Sequence, residues 1–466
     1  MPFQLVFLWT DILIYALLAA VIAFGLYTVH HEHLRVPWRQ VARRPMAMAS
    51  MVVLLAYVAV GLMDSVHYRP SLDGQNQGKQ VYSNEVLSLL DMAAKPLRSR
   101  TEKTYSAPLA MQAHSRETVE YADGRRVREF PRLLHGGAHL REPGERVGDI
   151  ATRVGVATLA GFGLWLLLAT GFLLFWRKQG EPWMQATRRL VCGEGDFPWR
   201  TVLVTVGVLV VLAANAAYLS LYYHIFGTDQ VGQDVFYKSL KSIRTGLVIG
   251  TLTTLVMLPF AVLFGIMAGY FRGWVDDVIQ YVYTTLSSIP GVLLIASAIL
   301  SLQVYIATHP ESFTSATERA DVRLLFLCLI LGVTSWTSLC RLLRGEALKL
   351  REVDYIQAAR ALGASHSAIM ARHILPNVMH IILITVVLDF SGLVLAEAVL
   401  SYVGVGVDPT MDSWGNMIVS ARLEMARDPL VWWSLASAFV FMFSLVLAAN
   451  LFSDAVRDAF DPRLRK

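Results

Sequence analysis

Nine long apolar blocks dominate this chain of 466 residues and determine its fold class. Each block has about 20 residues, the length that an α-helix needs to cross the roughly 30 Å hydrocarbon core of a bilayer. In lipid, backbone groups are satisfied only in helices or closed barrels, and blocks of this length exclude a barrel. We therefore predict an all-α polytopic membrane protein. The predicted spans are 5–27, 46–64, 153–176, 201–223, 245–270, 279–303, 323–343, 379–403 and 431–452.

Charged residues predict the orientation of these spans. Lysine and arginine are concentrated in the loops 28–45, 177–200 and 341–378 and in the C-terminal tail, while the alternate loops carry fewer. The positive-inside rule then places the 341–378 loop and the C-terminus in the cytosol and, with nine spans, the N-terminus outside. Met1–Thr10 contains no lysine or arginine, which argues against a cleaved signal peptide. The net charge of +5 therefore reflects topology, and no basic run with interleaved aromatics predicts a nucleic-acid partner.

Motifs for catalysis, cofactors and metals are absent from the sequence. It contains no G-x-x-x-x-G-K-[ST] nucleotide loop, no H-E-x-x-H zinc motif and no G-x-S-x-G nucleophile motif. Its three cysteines, Cys192, Cys328 and Cys340, lack metal-ligand spacing and are predicted to be free thiols. We predict that the chain is not an enzyme and binds no cofactor or metal itself.

The apolar blocks divide the chain into four predicted segments. Residues 1–64 hold two helices, 65–152 form a hydrophilic extracytoplasmic insert, 153–199 add a third helix and a cytosolic linker, and 200–466 hold six spans. Within the insert, Val119–Phe130 predicts a β-hairpin with an Asp123-Gly124 turn. The insert is either a solvated cap or a contact surface for an extracytoplasmic partner.

The segment 344–378 is long, polar and helix-prone, and it lies between two spans. It predicts two short helices with a break at Gly363, since glycine allows the chain to turn. Ala358 and Ala359 offer a small surface for close approach, and Tyr355, Ile356, Ala359 and Leu362 are expected to form one face. Leu375 and Pro376 return the chain to the membrane, where proline limits further helix. A docking site for another protein and an amphipathic interfacial helix are both compatible with this pattern.

Residues 200–466 also carry a series of motifs that occur in the same order in one family. The motifs are Phe226–Val235, Ala268–Asp277, Ser288–Leu294, Asp354–Asn377, Leu395–Gly406, Ser413–Met417 and Asn450–Leu464. They resemble the C-type permease subunit of the dipeptide/oligopeptide/nickel ABC importer family. Gln233 and Gln357 stand where the family patterns have arginine and glutamate.

This resemblance implies a permease core of about six helices, with three extra N-terminal helices and the insert as additions. It identifies 354–377 as similar to the EAA loop, through which a cytosolic ATPase moves the permease. The coupling residues it implies are Tyr355, Gln357, Ala358, Ala359, Gly363, Leu375 and Pro376.

The implied partners are a second homologous permease, cytosolic ATPases that bind ATP and Mg²⁺, and an extracytoplasmic substrate-binding protein. The implied location is the bacterial inner membrane, and the implied cargo is a short peptide or related solute. A secondary transporter, and a membrane-anchored sensor or scaffold that uses 65–152, are the rival classes.

Two carboxylates fall inside the eighth predicted span. Asp389 and Glu397 are eight residues apart and so share roughly one helix face. A carboxylate in a membrane span is expensive and faces a cavity or a partner. The pair is expected to line the translocation path or a subunit interface, unless Glu397 is simply wet at the outer end of its helix.

Overall fold

A computed structural model describes residues 3–30, 32–76, 79–120, 126–178, 197–309, 311 and 315–460. Helices dominate, and the strands are short. The helices are α1 (Trp9–His30), α2 (Glu32–Arg43), α3 (Pro45–Ser65), α4 (Leu89–Ala93), α5 (Lys95–Ser99), α6 (Arg146–Lys178), α7 (Trp199–Leu219), α8 (Val235–Phe271), α9 (Trp274–Ser288), α10 (Gly291–Thr308), α11 (Ala316–Arg351), α12 (Asp354–Ala361), α13 (His366–Ile369), α14 (Leu375–Tyr402), α15 (Trp414–Glu424) and α16 (Trp433–Phe460). The strands are β1 (Phe3–Val6), β2 (His67–Asn76), β3 (Lys79–Tyr82), β4 (Leu87–Ser88), β5 (Glu117–Glu120) and β6 (Arg126–Glu129).

The prediction of nine spans is confirmed within the described residues. Nine helical segments are long and apolar enough to cross a membrane. They are α1, α3, α6 with the turn before it, α7, α8, α10, α11, α14 with the residues from His366, and α16. The fold is therefore polytopic and mainly helical, as the apolar blocks predict.

The sixth predicted span, 279–303, is wrong as a single helix. The structure has two helices here, α9 and α10, separated by Ile289 and Pro290. A proline forces the residue before it out of the helical region, and Ile289 has ψ 129°. Only α10 remains long and apolar enough to span.

The first predicted span, 5–27, starts too early. Phe3–Val6 is a strand, and α1 begins at Trp9. This strand pairs antiparallel with β2, so that Phe3 lies opposite Pro70 and Val6 opposite His67. Because β2 follows α3, the N-terminal strand and the start of the insert lie on the same side of any membrane that α1 and α3 cross.

The insert contains most of the remaining strands. β2 pairs with β3 and β4, and α4 follows β4 directly. Ser88 and Asp91 form a capping box that begins α4. The predicted hairpin is confirmed, since β5 pairs with β6 and Glu117 lies opposite Glu129. Its Asp123-Gly124 turn lies outside the described residues.

The chain divides into two compact units. The first comprises Met1–Val6, Trp38–Thr245 and Asp412–Phe452, and the second comprises Phe7–Pro37, Gly246–Met411 and Ser453–Lys466. These units are defined by contacts between residues and do not correspond to the four segments predicted from the sequence. The division into four segments remains a prediction.

In the first unit, the third extra helix packs on the first helix of the predicted core. Gly161 of α6 lies against Val211 of α7, and Gly207 of α7 lies beneath the ring of Trp165. The Trp165 indole Nε1 donates to the Leu203 carbonyl at 2.8 Å. Small residues permit this close approach of two helices in lipid.

In the second unit, the first extra helix is held by a carboxylate of the core. Asp321 of α11 is buried, and its carboxylate accepts hydrogen bonds from the Thr10 amide at 3.2 Å and from the Thr10 hydroxyl. Thr10 is in the first turn of α1, where amides lack helical partners and negative charge is favourable. The interaction fixes where α1 begins.

The same unit contains a close crossing between α8 and α11. A Cβ on Gly269 would lie 2.5 Å from the Ala347 Cβ, and one on Gly265 would lie 2.8 Å from the Leu343 Cβ. Cys328 and Cys340 of α11 are buried free thiols, as predicted, and Cys192 lies outside the described residues. This crossing brings the C-terminal end of α11 against α8, at the base of the 344–378 segment.

Candidate functional site

The 344–378 segment turns at Gly363, as the sequence predicts. Helix α12 ends at Ala361, α13 begins at His366, and Gly363 between them has φ +80°. The Gly363 amide donates to the Arg360 carbonyl and the Ala364 amide to the Ala359 carbonyl, both at 3.1 Å. These two bonds form a Schellman motif, whose left-handed position favours glycine.

The face predicted for α12 is divided in two by the structure. Ile356 is only 2% exposed and packs with buried residues of α11, whereas Tyr355 is 43% exposed. The prediction that Ile356 shares a face with Tyr355 is wrong, because adjacent helical residues point about 100° apart. Ala358 is exposed and Ala359 is half-buried.

The exposed stripe that results is Tyr355, Ala358 and Leu362, at helical spacing. Leu362 is 88% exposed, an unusual position for a leucine at a helix end. We name these three residues the α12 stripe. Gln357 is also exposed, and its side-chain Nε2 donates to the Glu352 carbonyl at 3.1 Å. Gln357 thus bonds to the backbone just before α12.

The base of the segment is braced by the turn between α8 and α9. The Arg344 guanidinium donates to both carboxylate oxygens of Asp276, at 2.6 and 2.7 Å. Arg351 donates to the Tyr270 carbonyl at 3.0 Å, and the Tyr270 hydroxyl lies 2.9 Å from His366 Nδ1. Sequence reasoning missed these residues as a site, although Tyr270 and Asp276 belong to the 268–277 motif.

The return to the membrane differs from the prediction. Proline was expected to limit the helix, but Pro376 lies in the first turn of α14, which continues to Tyr402. The preceding residues, Met370–Ile374, form a π-helical turn. A wider turn accommodates the ring of a proline, which in a regular helix collides with the carbonyl four residues earlier.

Leu375 and Asn377 tie this return to the rest of the segment. Leu375 is half-buried and packs on the same apolar cluster as Ile356. The Asn377 Nδ2 donates to the Tyr355 hydroxyl at 3.0 Å and to the His373 carbonyl at 2.6 Å. The segment is therefore a rigid folded unit, attached by packing and hydrogen bonds at both ends.

Comparison with known proteins places this arrangement in a family. Residues 261–466 match the family described as binding-protein-dependent transport system inner membrane component. The glutathione transport system permease protein GsiD of Pectobacterium atrosepticum is 32% identical over 244 residues, which cover 52% of this chain and 73% of that protein. The chain belongs to this permease family.

Two further relatives are named as permease proteins of oligopeptide transport systems. The oligopeptide transport system permease protein OppC of Mycobacterium tuberculosis is 33% identical and is covered over 77% of its length, and OppC of Bacillus subtilis is 29% identical and is covered over 73%. A solved structure of the MetNI methionine ABC transporter aligns with 46% of this chain at a TM-score of 0.32 and 17% identity. Because the chain belongs to the permease family, the permease class is supported over the two rival classes, a secondary transporter and a sensor or scaffold.

The two predicted carboxylates of the permease have different surroundings. Glu397 is buried, and the Ser401 hydroxyl donates to its Oε1 at 2.8 Å, so the expectation of a merely wet side chain is wrong. Asp389 is half-buried, and its carboxylate has no hydrogen bond or ion pair within the described part of the chain. The same helix, α14, carries both.

The insert of the permease is clamped to the loop that follows α7. Glu102, in the insert, accepts hydrogen bonds from the Leu134, His135 and Gly136 amides at 2.7 to 3.1 Å. Its carboxylate also lies 3.5 Å from His224 Nε2, and His224 Nδ1 lies 2.7 Å from Asp234. We call Glu102, His224 and Asp234 the insert clamp.

The backbone of the same loop fits against the insert. A Cβ on Gly232 would lie 1.8 Å from the Glu102 carbonyl oxygen, and Gly232 has φ +75°. The Glu102 amide donates to the Gly232 carbonyl at 2.9 Å. Gly232 belongs to the 226–235 motif, and in this permease it accommodates the chain of the insert.

The insert clamp predicts a pH dependence of stability. Burial alone would lower the pKa of His224, but Asp234 and Glu102 outweigh burial and raise that pKa to about 9. Burial would raise the pKa of Glu102, but His224 and the three amides lower it to about 2. The pairing of His224 contributes fully to the stability of the folded protein below the ordinary histidine pKa of 6.5, and this contribution is lost as the pH rises through about 9.

The hydrogen bonds of Glu102 contribute fully to the stability of the folded protein above the ordinary glutamate pKa of 4.5, and this contribution is lost as the pH falls toward 2. We expect the thermal midpoint of the detergent-purified permease to fall as the pH rises from about 7 to about 10, and to fall less in His224→Gln. An equal fall in both proteins would show that other groups cause it.

Proposed function

We propose that this chain is one of two membrane-spanning permease subunits in an ATP-driven importer of short peptides or a related solute. It forms half of the translocation path and receives the motion of cytosolic ATPase subunits through residues 354–377. The proposal rests on one observation above all: a member of a transport permease family exposes the α12 stripe on a segment that is otherwise firmly braced.

The geometry of the segment suits the transmission of movement. Ile356, Ile369 and Ile374 are buried together with Leu343 and Ala347 of α11. A force on α12 is therefore passed to α11 and α14 by packed side chains, which deform little. Bidentate pairing of Arg344 with Asp276 extends the rigid unit to α9. Such a unit can couple ATPase closure to a switch between two arrangements of the spans.

The complete importer would contain four kinds of component. A second, homologous permease completes the path, cytosolic ATPases bind ATP and Mg²⁺, and an extracytoplasmic protein delivers the solute. The relatives named as oligopeptide and glutathione permeases support this cargo class. The chain itself contributes no nucleotide site and acts by conformational change.

The distribution of charge and the pairing of strands support the orientation that we propose. The positive-inside rule places α12 in the cytosol and the insert outside, in the bacterial inner membrane. The pairing of β1 with β2 supports a common side for the N-terminus and the insert. Asp389, half-buried on α14, is the carboxylate we assign to the path or to the second permease, and Glu397 supports the helix through Ser401.

Co-purification and transport test this function together. The full chain, expressed with its neighbouring transport genes and purified in detergent, should retain an ATPase subunit. Reconstituted with its binding protein, it should accumulate a short peptide in an ATP-dependent manner. A chain obtained in good yield without any ATPase would contradict the proposal.

Gly363→Arg is expected to reduce transport at least about tenfold without loss of the protein from the membrane. The left-handed conformation costs a residue with a Cβ roughly 1 to 2 kcal/mol, so the turn between α12 and α13 would change. A Cβ at Gly363 meets nothing within 4 Å, so the cause would not be a collision. Gly363→Asn is the control, because asparagine tolerates this conformation. Normal transport by Gly363→Arg would refute the coupling role.

A further inference from the structure

A cavity of about 390 Å³ opens in the first compact unit, at the extracytoplasmic insert. It lies between the segment Ala110–His114, the end of β6 and the start of α6. Its lining residues are Ala110, Met111, Gln112, Ala113, His114, Phe130, Pro143 and Arg146. The volume is within the range of small-molecule sites, at its lower end.

Part of the cavity lining is apolar. Ala110, Met111 and Ala113 are buried, and Phe130, which also lines the cavity, is 42% exposed. Arg116 of the segment before β5 lies over this ring, with its guanidinium carbon 5.3 Å from the ring centroid. An exposed phenylalanine next to a buried methionine offers a surface for one apolar side chain.

The lining also includes Arg146, a cation whose guanidinium has no partner among the described residues. Arg146 is exposed and has no hydrogen bond or ion pair from its guanidinium to any described residue. The carboxylate in the next helical turn, Asp149, is already occupied by Arg153 at 2.7 Å and by the Tyr223 hydroxyl at 2.7 Å. Glu145 is exposed and its carboxylate accepts from the Arg141 amide at 3.4 Å. A guanidinium left open in this way matches a carboxylate, which it can bind through two parallel hydrogen bonds.

Two further polar residues, Gln112 and His114, line the cavity. The Gln112 side chain is exposed and has both donor and acceptor atoms. His114 is held in place, because its Nε2 lies 3.2 Å from the Leu430 carbonyl and its ring packs edge-on against Trp433. The cavity lining thus combines apolar side chains, hydrogen-bonding groups and the exposed guanidinium of Arg146, and a second guanidinium, that of Arg116, lies over the Phe130 ring.

We propose that this cavity binds the C-terminal residue of a short peptide. The terminal carboxylate pairs with Arg146, and the apolar side chain of that residue lies against Phe130 and Met111. This inference rests on the proposed function for its ligand class, because an importer of short peptides meets such ligands outside the membrane. The cavity then gives the insert a role in selecting peptides with a free carboxyl end.

The test uses the full chain purified in detergent and a fluorinated tripeptide, Ala-Ala-(4-fluorophenylalanine). Broadening of the fluorine NMR signal reports binding. We expect saturable binding that weakens at least tenfold when the peptide carboxylate is amidated, and at least tenfold in Arg146→Gln. Phe130→Ala should also weaken binding, and it removes a side chain that is largely on the surface.

Arg141→Gln is the matched control, since Arg141 is exposed on the same loop but does not line the cavity. Its binding should equal that of the unchanged chain, and all variants should keep the same thermal midpoint. The proposal is overturned if the unchanged chain shows no saturable binding, or if amidation and Arg146→Gln leave the affinity unaltered. The ATPase co-purification and transport measurements do not depend on this cavity, so a failure here is distinguishable from a failure of the proposed function.

Discussion

Leu362→Asp is expected to abolish co-purification of the ATPase while leaving the permease folded. Leu362 is 88% exposed, so the folded chain alone loses almost no packing when it is changed. In the assembled importer this side chain would be desolvated against the ATPase, and an aspartate there would be buried without a partner. Central apolar contacts of this kind cost roughly 2 kcal/mol or more when removed, about thirtyfold in affinity.

The measurement is the ratio of ATPase to permease after affinity purification, with ATP-dependent transport as a second readout. Leu134→Asp is the control, because Leu134 is 61% exposed in the insert, far from α12 along the chain. It should leave the ratio unchanged. Retention of the ATPase by Leu362→Asp at the ordinary ratio would show that the α12 stripe is not the docking surface.

Glu102→Ala is expected to produce the largest loss of stability among single changes in the insert. The change removes a buried carboxylate that accepts three amide hydrogen bonds and leaves His224 paired only with Asp234. Breaking a buried, hydrogen-bonded charge pair costs roughly 3 to 5 kcal/mol. The effect should therefore appear as a lower thermal midpoint and as faster proteolysis within the insert.

Glu142→Ala serves for comparison, since Glu142 is exposed and makes no described side-chain hydrogen bond. Its midpoint and cleavage rate should match those of the unchanged permease. If Glu102→Ala behaves in the same way, the insert is held by its backbone contacts with the 226–235 loop and the insert clamp contributes little.

Local patterns predicted much of this fold because their causes are local. Hydropathy identified the nine spans, and glycine at 363 predicted the turn between α12 and α13, where φ is +80°. The antiparallel hairpin was predictable from alternation and turn residues in 119–130. In each case the determining residues lie within a few positions of one another.

The contacts that join distant segments could not be predicted from one sequence. Arg344 and Asp276 are 68 positions apart, and Glu102 and His224 belong to segments separated by two spans. The strand Phe3–Val6 looks like the beginning of an apolar span until its partner, β2, is known. Likewise, Ile356 and Tyr355 differ in burial only because α11 packs on one side of α12.

The placement of the insert clamp has a consequence for how the protein is made. The ribosome completes Glu102 more than 100 residues before it reaches His224 and Asp234. During that interval, of the partners described above, the Glu102 carboxylate has only the amides of Leu134, His135 and Gly136, which belong to the insert itself. The insert clamp can therefore form only after α6 and α7 have been synthesised. We expect a fragment of residues 65–152 made alone to be less stable than the same residues in the full chain, because it lacks His224 and Asp234.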